Sequence, residues 1–275
     1  MAVFNFPALS LAEIKPTLDT LHLYSRLAGK IRQTLLPEQK HWYHASLFAA
    51  ATGITTGPIW ADDKIFEVLL DLTRHHLIIS THQGYQCHRP LSGQSPARFY
   101  DETLSSLKAL GIEAAIGRDL FAETAAGAYN KAHIETYWRA LSQIDAVFRR
   151  FKGELRQETS PVQLWPHHFD LALLWFSGRL VPGQDPANAE YADEQMNFGF
   201  APGDDGIPEP YFYITAYPLP AGLANTQLPH DAYWHTATFT GAVLPYRALV
   251  GSADPAAQLL TFLHAVQQAG AALMQ

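Results

Sequence analysis

Two stretches of this chain carry the same landmarks in the same order, and that repetition limits the folds open to it more than any other feature. Residues 26–60 run Gly29-Lys30-Ile31-Arg32, Pro37, Trp42-Tyr43-His44 and Gly53. Residues 148–184 run Phe151-Lys152-Gly153-Glu154, Pro161, Trp165-Pro166-His167 and Gly178. Further on, Gly84, Pro96, Leu104 and Gly111 are matched at a nearly constant offset by Gly241, Pro255, Leu263 and Gly270. Both Pro-Ala dipeptides open helix-like stretches, where a first-turn proline gives up no needed N–H, and both stretches close at a glycine, Gly111 and Gly270. The internal duplication predicts two like units.

Each repeat reads as a helix, several strands and a closing helix. The opening helix spans about Leu11 to Leu36, with Leu18, Leu21, Tyr24 and Ala28 near helical spacing and Pro16 marking a kink or a fresh start. Trp42 to Ile54 has strand composition. Ile65 to Leu72 alternates as a half-buried strand, and Leu77 to Thr81 is its hairpin partner. The second repeat offers Val162 to Phe176, Tyr211 to Tyr217, Tyr233 to Phe239 and Ala242 to Tyr246 as strands. Strands flanked by helices argue for an α+β fold, with helices on one face of antiparallel sheets that join about a pseudo-twofold axis. The boundaries are 1–112 for the first repeat, 113–136 for a connector and 137–275 for the second repeat, with an inserted loop at 183–210. The two repeats form separate domains or close into one compact domain.

The chain has 275 residues, enough to bury about 75% of its unfolded surface. Net charge is −7, and the densest basic stretch is only Arg149, Arg150 and Lys152, which argues against nucleic-acid binding. The single cysteine, Cys87, cannot form an internal disulfide. No charged secretory start and no long apolar span are present, so a soluble, cytoplasmic protein with no membrane partner is expected. Dinucleotide, P-loop, zincin and nucleophile-elbow motifs are all missing.

Candidate chemistry lies where the second repeat departs from the first. Along Trp165-Pro166-His167-His168-Phe169-Asp170, strand alternation would put His168 and Asp170 on one face. The first repeat has Ala45 and Leu47 at those places. An Asp beside a His can orient it, fix its tautomer and raise its basicity, for general-base work or metal ligation. A plain His–Asp hydrogen bond is the alternative. The additional segment from Ala192 to Gly206 carries Glu194, the amide Asn197 and several glycines, as binding loops do. Glu209 is held between Pro208 and Pro210, and Tyr211, Tyr213, Thr215 and Tyr217 share a strand face. His235 follows on the next strand.

The stretches Trp165 to Ala172, Asp193 to Phe200 and Pro208 to Tyr213 resemble a bacterial family known as domain of unknown function 5996. Leu21 to Arg32, His41-Trp42-Tyr43-His44 and Thr52-Gly53-Ile54-Thr55-Thr56 fit it too, so the likeness spans nearly the full length. The resemblance implies no activity. It does imply that Asp170 and Glu194 are shared features more than His167 and His168 are.

These observations lead to a pocket for an unknown small molecule in the second repeat. Its floor is the strand bearing His168 and Asp170, its wall Tyr211 to Tyr217 and its lid residues 193–206. As an enzyme it would do hydrolytic or metal-assisted chemistry, with His168 as base, Asp170 as its orienter and Glu194 or Glu209 as partner acid. A divalent metal on His168 and Asp170 is the candidate cofactor, and His167, Asn197, Glu209, Tyr211, Tyr213 and His235 are candidate ligand contacts. The competing reading is a non-catalytic interaction or assembly module. There Trp42, Trp60, Trp175 and Trp234 would meet another protein or a second copy in a homodimer.

Overall fold

The helix that opens the chain runs through its proline. A computed structural model describes residues 4–274, and in it α1 spans Leu11–Leu35 without interruption at Pro16. Its inner face is Ile14, Leu18, Leu21, Ser25 and Ile31, at helical spacing, and it ends just before Pro37. The strands that follow are β1 (Phe48–Ala49), β2 (Gly53–Thr55), β3 (Ile59–Ala61), β4 (Lys64–Asp71), β5 (His76–Thr81) and β6 (Gln86–Pro90). Helices α2 (Pro96–Ala109) and α3 (Lys131–Glu154) come next. After them lie β7 (Gln163–Trp165), β8 (Asp170–Leu180), β9 (Asp193–Ala201), β10 (Tyr211–Tyr217), β11 (Tyr233–His235), β12 (Gly241–Pro245) and α4 (Pro255–Leu273). This is an α+β architecture built on antiparallel sheets.

By internal packing the chain falls into two units. The N-terminal unit comprises residues 12–138 and 164–169, and the C-terminal unit residues 1–11, 139–163 and 170–275. In the N-terminal unit the sheet order is β1-β2-β4-β5-β6, with β3 also pairing β4. Val68 faces Ile79 and Leu70 faces Leu77 across the β4–β5 hairpin, all four fully buried, which is the alternation expected of this segment. Residues 42–54 do not form the single strand that their composition suggests. Lys40–Ala45 is a turn of 3-10 helix in which His41 and Trp42 are both left-handed, at φ 53° and 58°, and no strand accommodates two such residues in succession. Before α2, the Ser95 hydroxyl accepts from the Arg98 N–H at 3.2 Å, with Pro96 in the first turn as expected.

The C-terminal unit has the strand order β11-β12-β10-β9-β8. One face of that sheet is apolar through its centre: Leu171, Leu173 and Trp175 on β8, Met196, Phe198 and Phe200 on β9, Phe212 and Ile214 on β10, Leu244 on β12. The helices cover this face. Phe148 and Phe151 of α3 meet Phe212 and Phe198 at ring separations of 6.5 and 5.0 Å. In α4, Gly270 was expected to end the helix, but it lies inside it. The Met196 side chain occupies the space a Cβ would need, with Cε 2.7 Å from that position. Two further expectations change here. The strand expected over 162–176 is broken by a turn at 166–169, where Phe169 sits at φ 60°. Residues 193–201, expected within a loop, form the central strand β9, because Met196, Phe198 and Phe200 are needed to fill the core face.

Gly53 tests the register of the N-terminal sheet. Any Cβ there would overlap the Leu70 carbonyl oxygen and lie 2.9 Å from the Leu72 nitrogen, both backbone atoms that cannot turn aside. Gly53→Ala is expected to cost about 3 kcal/mol, read as a lowered midpoint in urea denaturation. An unchanged midpoint would contradict this register.

Candidate functional site

The other face of the C-terminal sheet collects polar and aromatic side chains, because residues directly opposed in antiparallel strands share a face. Tyr213 opposes Gly199, Thr215 opposes Asn197, Tyr217 opposes Gln195 and Tyr211 opposes Ala201. Asp170 opens β8 on this face, since Ala172 opposes Gly199 in the same register. Tyr213 crosses β9 where residue 199 has no side chain, a Cβ there falling within its ring. Its hydroxyl then donates to Asp170 Oδ2, and the Asn197 side-chain amide donates to the same hydroxyl. Asn197 Oδ1 and Gln195 Oε1 are buried acceptors with no hydrogen-bond partner among the described residues.

A second layer fixes the neighbouring ring. Asp204 Oδ1 accepts from the Gly206 and Ile207 N–H groups at 2.7 and 2.8 Å, closing a tight loop. Its Oδ2 accepts from the Tyr211 hydroxyl at 2.5 Å. Ala201, Ile207, Tyr211 and Val243 pack as one buried cluster, with Tyr213 and Phe239 at its margin. His235 lies against Phe239 at 4.7 Å, and its Nε2 is 3.0 Å from the Thr238 hydroxyl.

Burial, and then the charge of Asp170, push the Tyr213 phenol well above its ordinary range. Burial and then the hydrogen bond to Asp204 raise Tyr211 as well. Both phenols are therefore proton donors at neutral pH and neither serves as a base. What the face offers chemically is a set of acceptors, Asp170, Asn197 and Gln195, beside an aromatic wall.

Tyr211, Tyr213, Asn197, His235 and Asp170 thus share one sheet face, as the sequence suggested for the tyrosines. The remaining candidates stand elsewhere. His167 and His168 lie exposed on the 166–169 turn, their rings 4.4 Å apart, and β8 begins only at Asp170. Strand alternation therefore does not place His168 on one face with Asp170, because His168 precedes the strand. Glu194 has the opposite parity to Gln195 and Asn197 and is bound through both oxygens by Arg179 at 3.0 Å. Glu209 is held by Arg247 at 2.8 and 3.0 Å. Among the described residues, no three His, Cys, Asp or Glu side chains gather as a group able to hold a metal ion, so the metal set of His168 and Asp170 is not completed by a third ligand. Gln195 and Phe239 were not foreseen. Asp204 could have been, because Asp-x-Gly is a sequence signal for a side-chain-capped turn.

The chain belongs to a family of unknown function, DUF5996, whose model matches residues 6–275. No curated protein and no solved structure matches it. Among the described residues no helix is long and apolar enough to cross a membrane.

Gly199→Ala should force the Tyr213 ring off β9 and cost about 2 kcal/mol. The raised phenols also set a pH dependence. The folded state holds their protons more tightly than the unfolded chain, whose tyrosines ionise near pH ~10. Their contribution to stability is present in full below that pH and is lost as pH rises above it. Tyr213→Phe should make the alkaline decline of stability shallower, followed by urea denaturation between neutral pH and the alkaline limit. A variant declining as steeply as the wild type would contradict the assignment.

Proposed function

We propose that this member of a family of unknown function binds a small polar molecule on the polar face of its C-terminal sheet. The observation that carries the reading is the pair of buried, unpartnered amide oxygens, Asn197 Oδ1 and Gln195 Oε1, on the same face as the Asp170–Tyr213 hydrogen bond. A buried acceptor without a donor costs about 1–3 kcal/mol, and a ligand that supplies N–H or O–H groups removes that cost. The expected ligand is therefore a polyol, an amide or a protonated amine, with Tyr211, Tyr213, Phe239 and His235 providing the apolar and aromatic contacts. Asp170 and Asn197 fix its orientation.

Binding is favoured over hydrolysis because the titratable groups of this face are engaged: the phenols are held as donors, and Asp170 accepts from Tyr213. Glu194, on the other face, is occupied by Arg179. A second reading, self-association, draws support from Trp42 and Trp60, which are 45% and 57% exposed. Trp175 does not belong to that surface, being buried in the core. Light-scattering mass that rises with concentration, and returns to the monomer value in Trp60→Ala, would establish it.

The binding reading is tested by thermal-shift measurements against glycerol, glucose, acetamide, ethanolamine and spermidine, with sodium chloride as the control. A rise in the melting temperature with at least one donor-bearing compound, lost in Asn197→Ala, is the expected result. No response from any class, or an equal response in Asn197→Ala, would overturn it.

A further inference from the structure

The N-terminal unit has a cleft of its own, of about 540 Å³ and open to solvent, between the start of α1 and the segment that leads into α3. Glu13, Pro16 and Thr17 line it from α1, and Tyr129, Asn130 and His133 from the other side. That volume suits a small organic molecule.

The wall made by residues 127–130 is held rigidly. The Gly127 N–H donates to the Gly93 carbonyl at 3.0 Å, and a Cβ on Gly127 would overlap the Thr20 side chain of α1. The Asn130 N–H donates to the Thr17 hydroxyl at 3.1 Å. Between these ties, the Tyr129 hydroxyl lies 3.2 Å from His75 Nδ1, and His75 Nε2 lies 3.2 Å from Glu135 Oε1. An ionised carboxylate only accepts, so Nε2 carries the proton and the Tyr129 hydroxyl donates to Nδ1. His75 makes both bonds from a buried position at φ 57°, just before β5, where glycine would be less strained. The backbone strain is offset by what the imidazole holds in place, the ring of Tyr129.

The cleft offers acceptors and no strong cation. Glu13 is exposed and forms no ion pair among the described residues, and the His133 ring has no partner among them either. Pro16 has no N–H, so the Ala12 carbonyl beside Glu13 lacks the donor that a helix interior would supply. The start of α3 is capped from within, Asn130 Oδ1 accepting from the His133 N–H at 3.3 Å. No lysine or arginine lines the cleft. A single carboxylate beside a fixed aromatic ring is the combination that recognises an ammonium group.

We propose that this cleft binds a small molecule bearing a protonated primary amine, with its ammonium group on the Glu13 carboxylate and its carbon chain against Tyr129 and Pro16. The site lies in the N-terminal unit and does not depend on the polar sheet face of the C-terminal unit.

The experiment titrates butylammonium chloride into the full-length protein and follows backbone amide NMR shifts. The comparisons are 1-butanol, of the same shape without charge, sodium butyrate, of opposite charge, and sodium chloride at matched ionic strength. Saturable shifts centred on Glu13, Thr17 and residues 128–133, with butylammonium alone, are expected. Glu13 is exposed, so Glu13→Gln keeps the fold and should raise the titration midpoint about five-fold. Equal shifts with butanol or butyrate, or an unchanged midpoint in Glu13→Gln, would overturn the proposal. So would the absence of any response at the cleft, including shifts at residues 195–217 alone, which belong to the C-terminal sheet.

Discussion

The ring of Tyr213 can cross β9 only because residue 199 has no side chain, and the polar face of the C-terminal sheet is organised around that crossing. It lets a phenol on β10 reach a carboxylate at the start of β8 over the intervening strand. The hydrogen bond joins three strands through side chains and not merely through backbone. It also determines the chemistry, since a phenol bound to a buried carboxylate stays protonated. The opposite face has no such freedom, being filled by Phe198, Phe200, Phe212 and their neighbours against α3 and α4.

Much of the fold was legible because regular elements advertise themselves by periodicity. Alternation marked β4 and β5, helical spacing marked α1, and Pro-Ala marked the starts of α2 and α4. The failures share one cause, backbone conformations with no periodic signature. His41, Trp42 and Phe169 are left-handed without being glycine, and each breaks a stretch whose composition says strand. Gly270 misled in the opposite sense. It resembles a helix stop, yet its place is set by the sulfur and methyl of Met196 across the helix–sheet contact, which only tertiary structure reveals.

The candidate site was legible in part for the same reason. Tyr211 and Tyr213 could be read from period-two spacing, and Asp170 from its position. His168 was misplaced, because the alternation argument holds only inside a strand and residues 166–169 are a turn. Glu194 was assigned to an inserted binding loop, whereas β9 gives it a fixed parity and Arg179 a fixed partner.

The central claim is that Asp170 and Tyr213 act as one energetic unit at the heart of a polar binding face. A double-mutant cycle measures it most directly, with Asp170→Asn, Tyr213→Phe and the combination compared by urea denaturation at neutral pH. The account predicts a coupling energy of about 1–3 kcal/mol between the two positions. Single-variant losses that simply add, to within about 0.5 kcal/mol, would contradict it.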